Sequence, residues 1–185
     1  MMTYIKTSAI IISFTLMVAC NSTESKNSSS TSETTTLTGQ SGVKDDLSAK
    51  NVVQVAIGSK DHTTLVVAVK AAELVDALSN AGPFTVFAPT NAAFDKLPAG
   101  TVDGLLKPEK KDDLENILGY HTYVGSLKTD YMNDGQEYEM VYGGSVKITK
   151  KDNKTYVNGS EILASIPTSN GIIHVIGDVL MPTKK

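Results

Sequence analysis

Arginine is absent: all 17 basic residues of this 185-residue chain are lysines. Without a guanidinium fork the chain has no bidentate clamp for phosphate or carboxylate. That argues against an enzyme built on phosphoryl recognition, although lysine still binds phosphate as a point charge. A basic surplus is missing too. The formal net charge is −3, and it becomes more negative once the amino terminus with Lys6 is removed, whereas nucleic-acid binding calls for a basic stripe. Cysteine occurs once, at Cys20, which rules out an intrachain disulfide. No Gly-x-Ser-x-Gly elbow, dinucleotide-binding glycine fingerprint, Walker loop or useful internal repeat is found.

What is present begins with two segments unlike the rest. Residues 1–19 hold one charge, Lys6, and an apolar run from Ala9 to Ala19 that is short for a bilayer span, and they read as a cleaved export signal. The run Met17-Val18-Ala19-Cys20 resembles a bacterial lipobox, with Met17 where Leu is usual. The resemblance implies that Cys20 is acylated and becomes the mature amino terminus. Several acyl chains hold durably, because each buried CH₂ contributes about 0.8 kcal/mol. Residues 20–45, rich in Ser and Thr with little apolar to bury, are expected to be a disordered tether. The folded domain is expected over 46–182, followed by a short tail, 183–185.

Within 46–182 the pattern is helical first and strand-like later, which predicts an α+β architecture. Asn51 to Ile57 reads as a short helix ended by Gly58. Leu65, Ala68, Val69, Ala72 and Val75 recur at threes and fours after a candidate N-cap at Asp61, up to Gly82-Pro83. Pro108 suits a first helical position, and the following acidic residues lead into a Leu114, Ile117, Leu118, His121 stripe. From Tyr138 the period becomes two, with turns at Gly143-Gly144, Asp152-Asn153 and Asn158-Gly159.

The stretch Gly82 to Phe94, GPFTVFAPTNAAF, has Phe84, Val86 and Ala88 on one side of a strand and Phe87 on the other. Both faces must therefore be covered. Pro89 cannot donate a ladder hydrogen bond, so pairing is expected to stop there. Thr90 or Asn91 is then the expected N-cap of the next helix. A second strand apolar on both faces is read in Asn170 to Pro182, ended by Pro182.

These two segments, Thr85 to Phe94 and Ser169 to Pro182, resemble the two signature boxes of the fasciclin (FAS1) domain family, and Tyr120-His121 falls where that family carries a Tyr-His motif. The resemblance covers about Asn51 to Pro182. It implies a wedge-shaped β-sandwich with several α-helices packed around it, and adhesion or matrix binding in place of catalysis. It assigns candidate binding to Tyr120 and His121 and a scaffold role to Thr85, Phe87, Pro89, Thr90, Asn91, Phe94, Asn170, Gly171, His174 and Pro182. The implied partners are an extracellular protein, glycan or matrix component and weak self-association. A membrane is touched only through the lipid, and nucleic acid, cofactor and metal are not expected. The chain departs from the family pattern at Ser165, where an acidic residue is common, and at Gly177, where Asp is common with Asp178 one place later.

Among the histidines, none is paired with Cys or another His at metal-ligand spacing. His62, at a helix start, is expected to be solvated, and His121 and His174 to be hydrogen-bonded core residues. Tyr120 reads as a packed ring at a helix edge or as an adhesive contact. Two further readings are an envelope carrier or enzyme with a cleft lined by both His121 and His174, and a purely structural spacer. The expected location is the cell envelope.

Overall fold

The computed structural model describes residues 49–182. The export signal, Cys20, the tether and the tail 183–185 lie outside the described residues, as do the first three positions expected in the domain.

Helices dominate the first half. α1 (Val52–Gly58) starts at a capping box in which Asn51 and Gln54 exchange side-chain and backbone hydrogen bonds. A 3₁₀ turn (Lys60–His62) leads into α2 (Thr63–Ala71), then α3 (Val75–Ser79). The long helix read through Val75 is thus two helices. Glu73 sits at positive φ between them, which breaks the ladder before Val75. The expected cap at Asp61 is also displaced: Ser59 caps the 3₁₀ turn, and no side chain of the local sequence caps α2.

β1 (Phe84–Pro89) follows, then the short helices α4 (Asn91–Phe94) and α5 (Thr101–Leu105). A 3₁₀ turn with Pro108 first precedes α6 (Lys111–Tyr120). The remaining elements are β2 (Thr122–Val124), a 3₁₀ turn (Thr129–Tyr131), β3 (Glu137–Glu139), β4 (Ser145–Lys151), β5 (Lys154–Val157), β6 (Ser160–Thr168) and β7 (Gly171–Ile176). The three expected turns fall at strand junctions. Tyr142 belongs to the turn after β3 and not to the strand, and β7 ends at Ile176, before Pro182.

All seven strands form one sheet in the order β2-β1-β7-β6-β5-β4-β3. Its two ends approach each other, since the Val141 amide donates to the Thr122 carbonyl at 3.0 Å and the rings of Tyr123 and Tyr138 meet edge to face at 5.5 Å. Folding one sheet back on itself gives the two layers expected of a sandwich. β1 and β7, which hold the two signature segments, are parallel neighbours from Phe84 opposite Gly171 to Pro89 opposite Ile176. Pairing with β7 continues one step past the expected stop, because Thr90 supplies the amide that Pro89 lacks and donates to Ile176. The last Cα partner in β2 is at Val86.

Two apolar clusters cover the two faces of these central strands. On one face Ala88 and Ile173 are buried with Leu65, Ala68, Leu114 and Leu118 of α2 and α6, with Val86 and Val175 packed against them. On the other, Phe87 and Ile176 meet Val146, Ile148 and Val157 of β4 and β5. Each fully buried aliphatic or aromatic side chain contributes about 1.5–3 kcal/mol, so covering both faces of β1 and β7 is the main support of the fold.

Candidate functional site

Tyr120 and His121 end α6 and stand side by side with different partners. The Tyr120 ring is only 2% exposed, held under the Gly143-Gly144 turn. Its hydroxyl donates to the Ser145 carbonyl at 2.8 Å and accepts from Asn158 Nδ2 at 2.9 Å. Asn158 in turn accepts the Lys147 amide through Oδ1 at 2.7 Å. Gly119 makes the arrangement possible, since a β-carbon there would overlap the ring of Tyr142.

The His121 ring is locked by two bonds that fix its tautomer. Nδ1 lies 2.8 Å from the Ile117 carbonyl, which only accepts, so Nδ1 carries the proton. Nε2 is left as an acceptor and takes the Leu180 amide at 2.9 Å. The His121 carbonyl also accepts from Phe87 in β1 at 2.8 Å. One residue therefore ties α6, β1 and the segment after β7 together. Protonation would cost the Leu180 bond, and burial opposes charge as well. Its pKa is lowered to about 4 by burial, with the Ile117 carbonyl acting weakly the other way.

His174 is fully buried, stacked on Phe87 with ring centroids 5.5 Å apart. Nε2 donates to the Leu127 carbonyl at 2.7 Å, which leaves Nδ1 to accept from the Ser165 hydroxyl at 2.8 Å. Ser165 thus satisfies a buried imidazole. Burial again depresses this pKa, opposed by the Leu127 carbonyl. His62 differs from expectation. It is buried, not solvated, because the 3₁₀ turn folds it inward, with Nδ1 2.8 Å from Ser59 Oγ. Nε2 has no well-formed hydrogen bond. Burial lowers its pKa, partly offset by Asp61 and the nearby Ala88 carbonyl.

The signature residues serve the frame around these rings. Thr85 donates to Gly125 at 2.7 Å and accepts from the Leu127 amide at 3.0 Å, fixing the loop that holds His174. Thr90 caps α4 through the Ala93 amide. Asn91 does something the local sequence did not indicate: it accepts from the Thr63 hydroxyl and the Thr64 amide and donates to Lys60, capping α2 from another part of the chain. Phe94 packs on the helical cluster and Pro89 is buried. Asn170 accepts the Val52 amide at 2.9 Å and donates to Leu78 and Asn80, joining the ends of α1 and α3. Gly171 passes so close to β1 that a β-carbon would overlap the Phe84 carbonyl oxygen. Pro182 is exposed. Asp178, beside Gly177, pairs with Lys96 at 2.6 Å, and the same ammonium reaches the Gly177 carbonyl at 2.7 Å.

A groove of about 780 Å³ opens beside Tyr120. One wall is the outer face of β3 and β4, with Glu137, Lys147 and Thr149. The other is the segment Asp178 to Met181, and the floor includes Tyr120, Asn158 and Ser160. Of the Tyr-His pair, only Tyr120 lines it. The groove residues other than Tyr120 were missed in the sequence because they come from four separated segments, and Asn158-Gly159 signalled only a turn. No shared cleft joins His121 and His174 in the described cavities. His121 borders apolar internal spaces of about 40 and 30 Å³ whose linings do not include His174. Among the described residues no cluster of three or more His, Asp, Glu or Cys is placed to hold a metal, and no helix is long and apolar enough to cross a membrane.

Comparison with known proteins gives a consistent result. A family model described as the fasciclin domain matches residues 60–182. Protein sll1483 of Synechocystis is 49% identical over 136 residues, covering 73% of this chain and 75% of that protein. The cell surface glycolipoprotein MPB83 of Mycobacterium bovis is 39% identical over 109 residues, covering 59% of this chain and 48% of that one. Among solved structures, a FAS1 domain pair from the insect cell adhesion molecule fasciclin I superposes with a TM-score of 0.64 at 16% identity, covering 71% of this chain and 51% of that chain. At that identity the match speaks for the fold alone.

Proposed function

This chain belongs to the fasciclin domain family, and from that premise we propose that it is a lipid-anchored, non-enzymatic attachment module of the cell envelope whose partner contacts the groove beside Tyr120. The observation that carries the reading is the contrast in the use of polar groups. The three imidazoles are buried in the frame, which leaves them unsuited to acid-base work, whereas the groove is open, wide enough for a ligand of several residues, and lined in part by charge with no ion partner. Glu137 and Lys147 face each other across β3 and β4, yet neither forms an ion pair among the described residues.

Location is read from Cys20 and its preceding run together with the surface-glycolipoprotein name of the mycobacterial relative. The amino-terminal entry fits that arrangement. The Lys50 carbonyl accepts from Ser169 just before β7 begins, whereas the groove wall starts just after β7 ends. At about 3.3 Å per residue, the six residues of β7 put about 20 Å between the Lys50 contact and the groove.

The test is an adhesion assay in a gene-deletion strain complemented with the wild-type chain, Cys20→Ser or Thr149→Trp. Thr149 is exposed and lines the groove, so the indole fills it without entering the core. Cys20→Ser is expected to move the protein to the soluble fraction. Thr149→Trp is expected to stay anchored and lose cell-cell or cell-surface attachment. Attachment that survives Thr149→Trp at wild-type protein levels overturns the groove reading. Unchanged membrane fractionation of Cys20→Ser overturns the anchor.

A further inference from the structure

Resting on that reading of the groove, we infer that its occupant is an extended stretch of polypeptide, bound by main-chain hydrogen bonds along Asp178 to Met181. Two amides of this segment are held by the frame. The Asp178 amide donates to Ser160 Oγ at 2.9 Å and the Leu180 amide to His121 Nε2 at 2.9 Å. These two bonds use the amides of Asp178 and Leu180 and leave those of Val179 and Met181. Among the described residues neither amide has a hydrogen-bond acceptor, and the carbonyls of Val179, Leu180 and Met181 have no donor.

These residues line the groove, so its wall carries unpaired main-chain donors and acceptors, as the edge of a sheet does. An added strand satisfies such a row with its own backbone, and its side chains alternate between the two sides. The groove offers matching partners for that alternation. Lys147 and Glu137, without ion partners, face it from β4 and β3, while Val179 and Met181 border it on the other side, Met181 half exposed. A glycan makes poorer use of this surface. Its ring faces look for an exposed aromatic platform, and the aromatic ring of the groove, Tyr120, is covered.

The experiment uses the full chain in detergent, captured on a surface by an antibody raised against the Ser/Thr-rich segment 21–45, which leaves Cys20 and the domain untouched. A phage-displayed library of random dodecapeptides is panned against it, and enriched peptides are synthesised. At least one peptide is expected to lose tenfold or more in affinity on Thr149→Trp and on Lys147→Glu. The same peptide is expected to lose tenfold or more when its alternate amides are N-methylated in one register and little in the other. In the complex the amides of Val179 and Met181 should become protected from hydrogen exchange. Melting curves of both variants confirm that the fold is kept. The inference is overturned by failure to enrich any peptide over a protein-free surface, by peptides indifferent to both variants or to methylation in both registers, or by a soluble glycan that protects these amides where peptides do not. If Thr149→Trp abolishes adhesion while no peptide is enriched, the inference alone falls. If adhesion survives the variant, the groove reading falls with it.

Discussion

The two ends of β7 are finished in opposite ways. At its start, Asn170 spends its side chain on the Val52 amide and the Leu78 and Asn80 carbonyls, and its carbonyl accepts from Phe84, so helix ends and strand end are closed together. At its finish, Ser160 and His121 take the amides of Asp178 and Leu180, and those of Val179 and Met181, in the segment that lines the groove, have no acceptor among the described residues. Buried polar groups are costly to leave unpaired and exposed ones are not. The first end therefore reads as scaffold, and the second as a surface kept rigid and unsaturated.

The difference can be broken most severely at the first end. Gly171→Ala drives a methyl into the Phe84 carbonyl, with backbone on both sides and nothing to yield. The expected loss is on the order of 3–5 kcal/mol, read by chemical denaturation, and the chain is expected to be largely unfolded at growth temperature. A loss under about 1 kcal/mol would show that β1 and β7 can part, against the close pairing described.

Next in size is the acid sensitivity of the clamp at the second end. The unfolded His121 protonates near pH 6.5, whereas the native ring does so only near 4. Between these values the unfolded chain binds more protons, so stability is fully present above about pH 6.5 and is lost as pH falls toward 4. For His121 the amount is on the order of 3 kcal/mol. His174 and His62, also depressed by burial, act in the same direction. Melting temperatures measured from pH 7 to 4 should fall, and the slope should lessen in His121→Gln, whose wild-type ring is replaced by a side chain that does not titrate. An unchanged slope would detach His121 from the acid response.

How far the sequence led depends on the range of the interactions. The short apolar runs Phe84 to Ala88 and Ile172 to Ile176, bounded by Gly82-Pro83, Pro89 and Asn170-Gly171, specified two strands buried on both faces, because run length and flanking turn residues are local signals. Thr90 as a cap was legible for the same reason. Asn91 was not, since its acceptors and donors lie about thirty positions earlier in the chain. His62 was misread because a 3₁₀ turn, and not the helix that follows, sets its direction. The groove escaped notice entirely: its unsaturation is a property of amides in an irregular segment, and side-chain patterns say nothing about which amides find partners.

Tyr120→Phe tests the junction between scaffold and groove with a smaller effect. Removing one hydroxyl leaves the ring packed but strips a donor from the Ser145 carbonyl and an acceptor from Asn158 Nδ2. Asn158 and Ser145 are exposed, so water substitutes for the lost partner and the cost should be about 1 kcal/mol, seen as a modest drop in melting temperature. If the hydroxyl merely holds the floor in place, adhesion should fall only in proportion to stability and recover on cooling.

The smallest effect on folding should come from Lys147→Glu, and it separates the two ends most cleanly. The ammonium is exposed and makes no ion pair, so its loss and the new repulsion with Glu137 should cost only a few tenths of a kcal/mol. Its effect on attachment should be much larger, since reversing a charge inside a groove that contacts a partner removes one complementarity and adds a clash. Equal melting curves with attachment reduced tenfold would place function at the finish of β7. Attachment lost only in step with stability, as for Gly171→Ala, would show that the two ends of the strand do the same job.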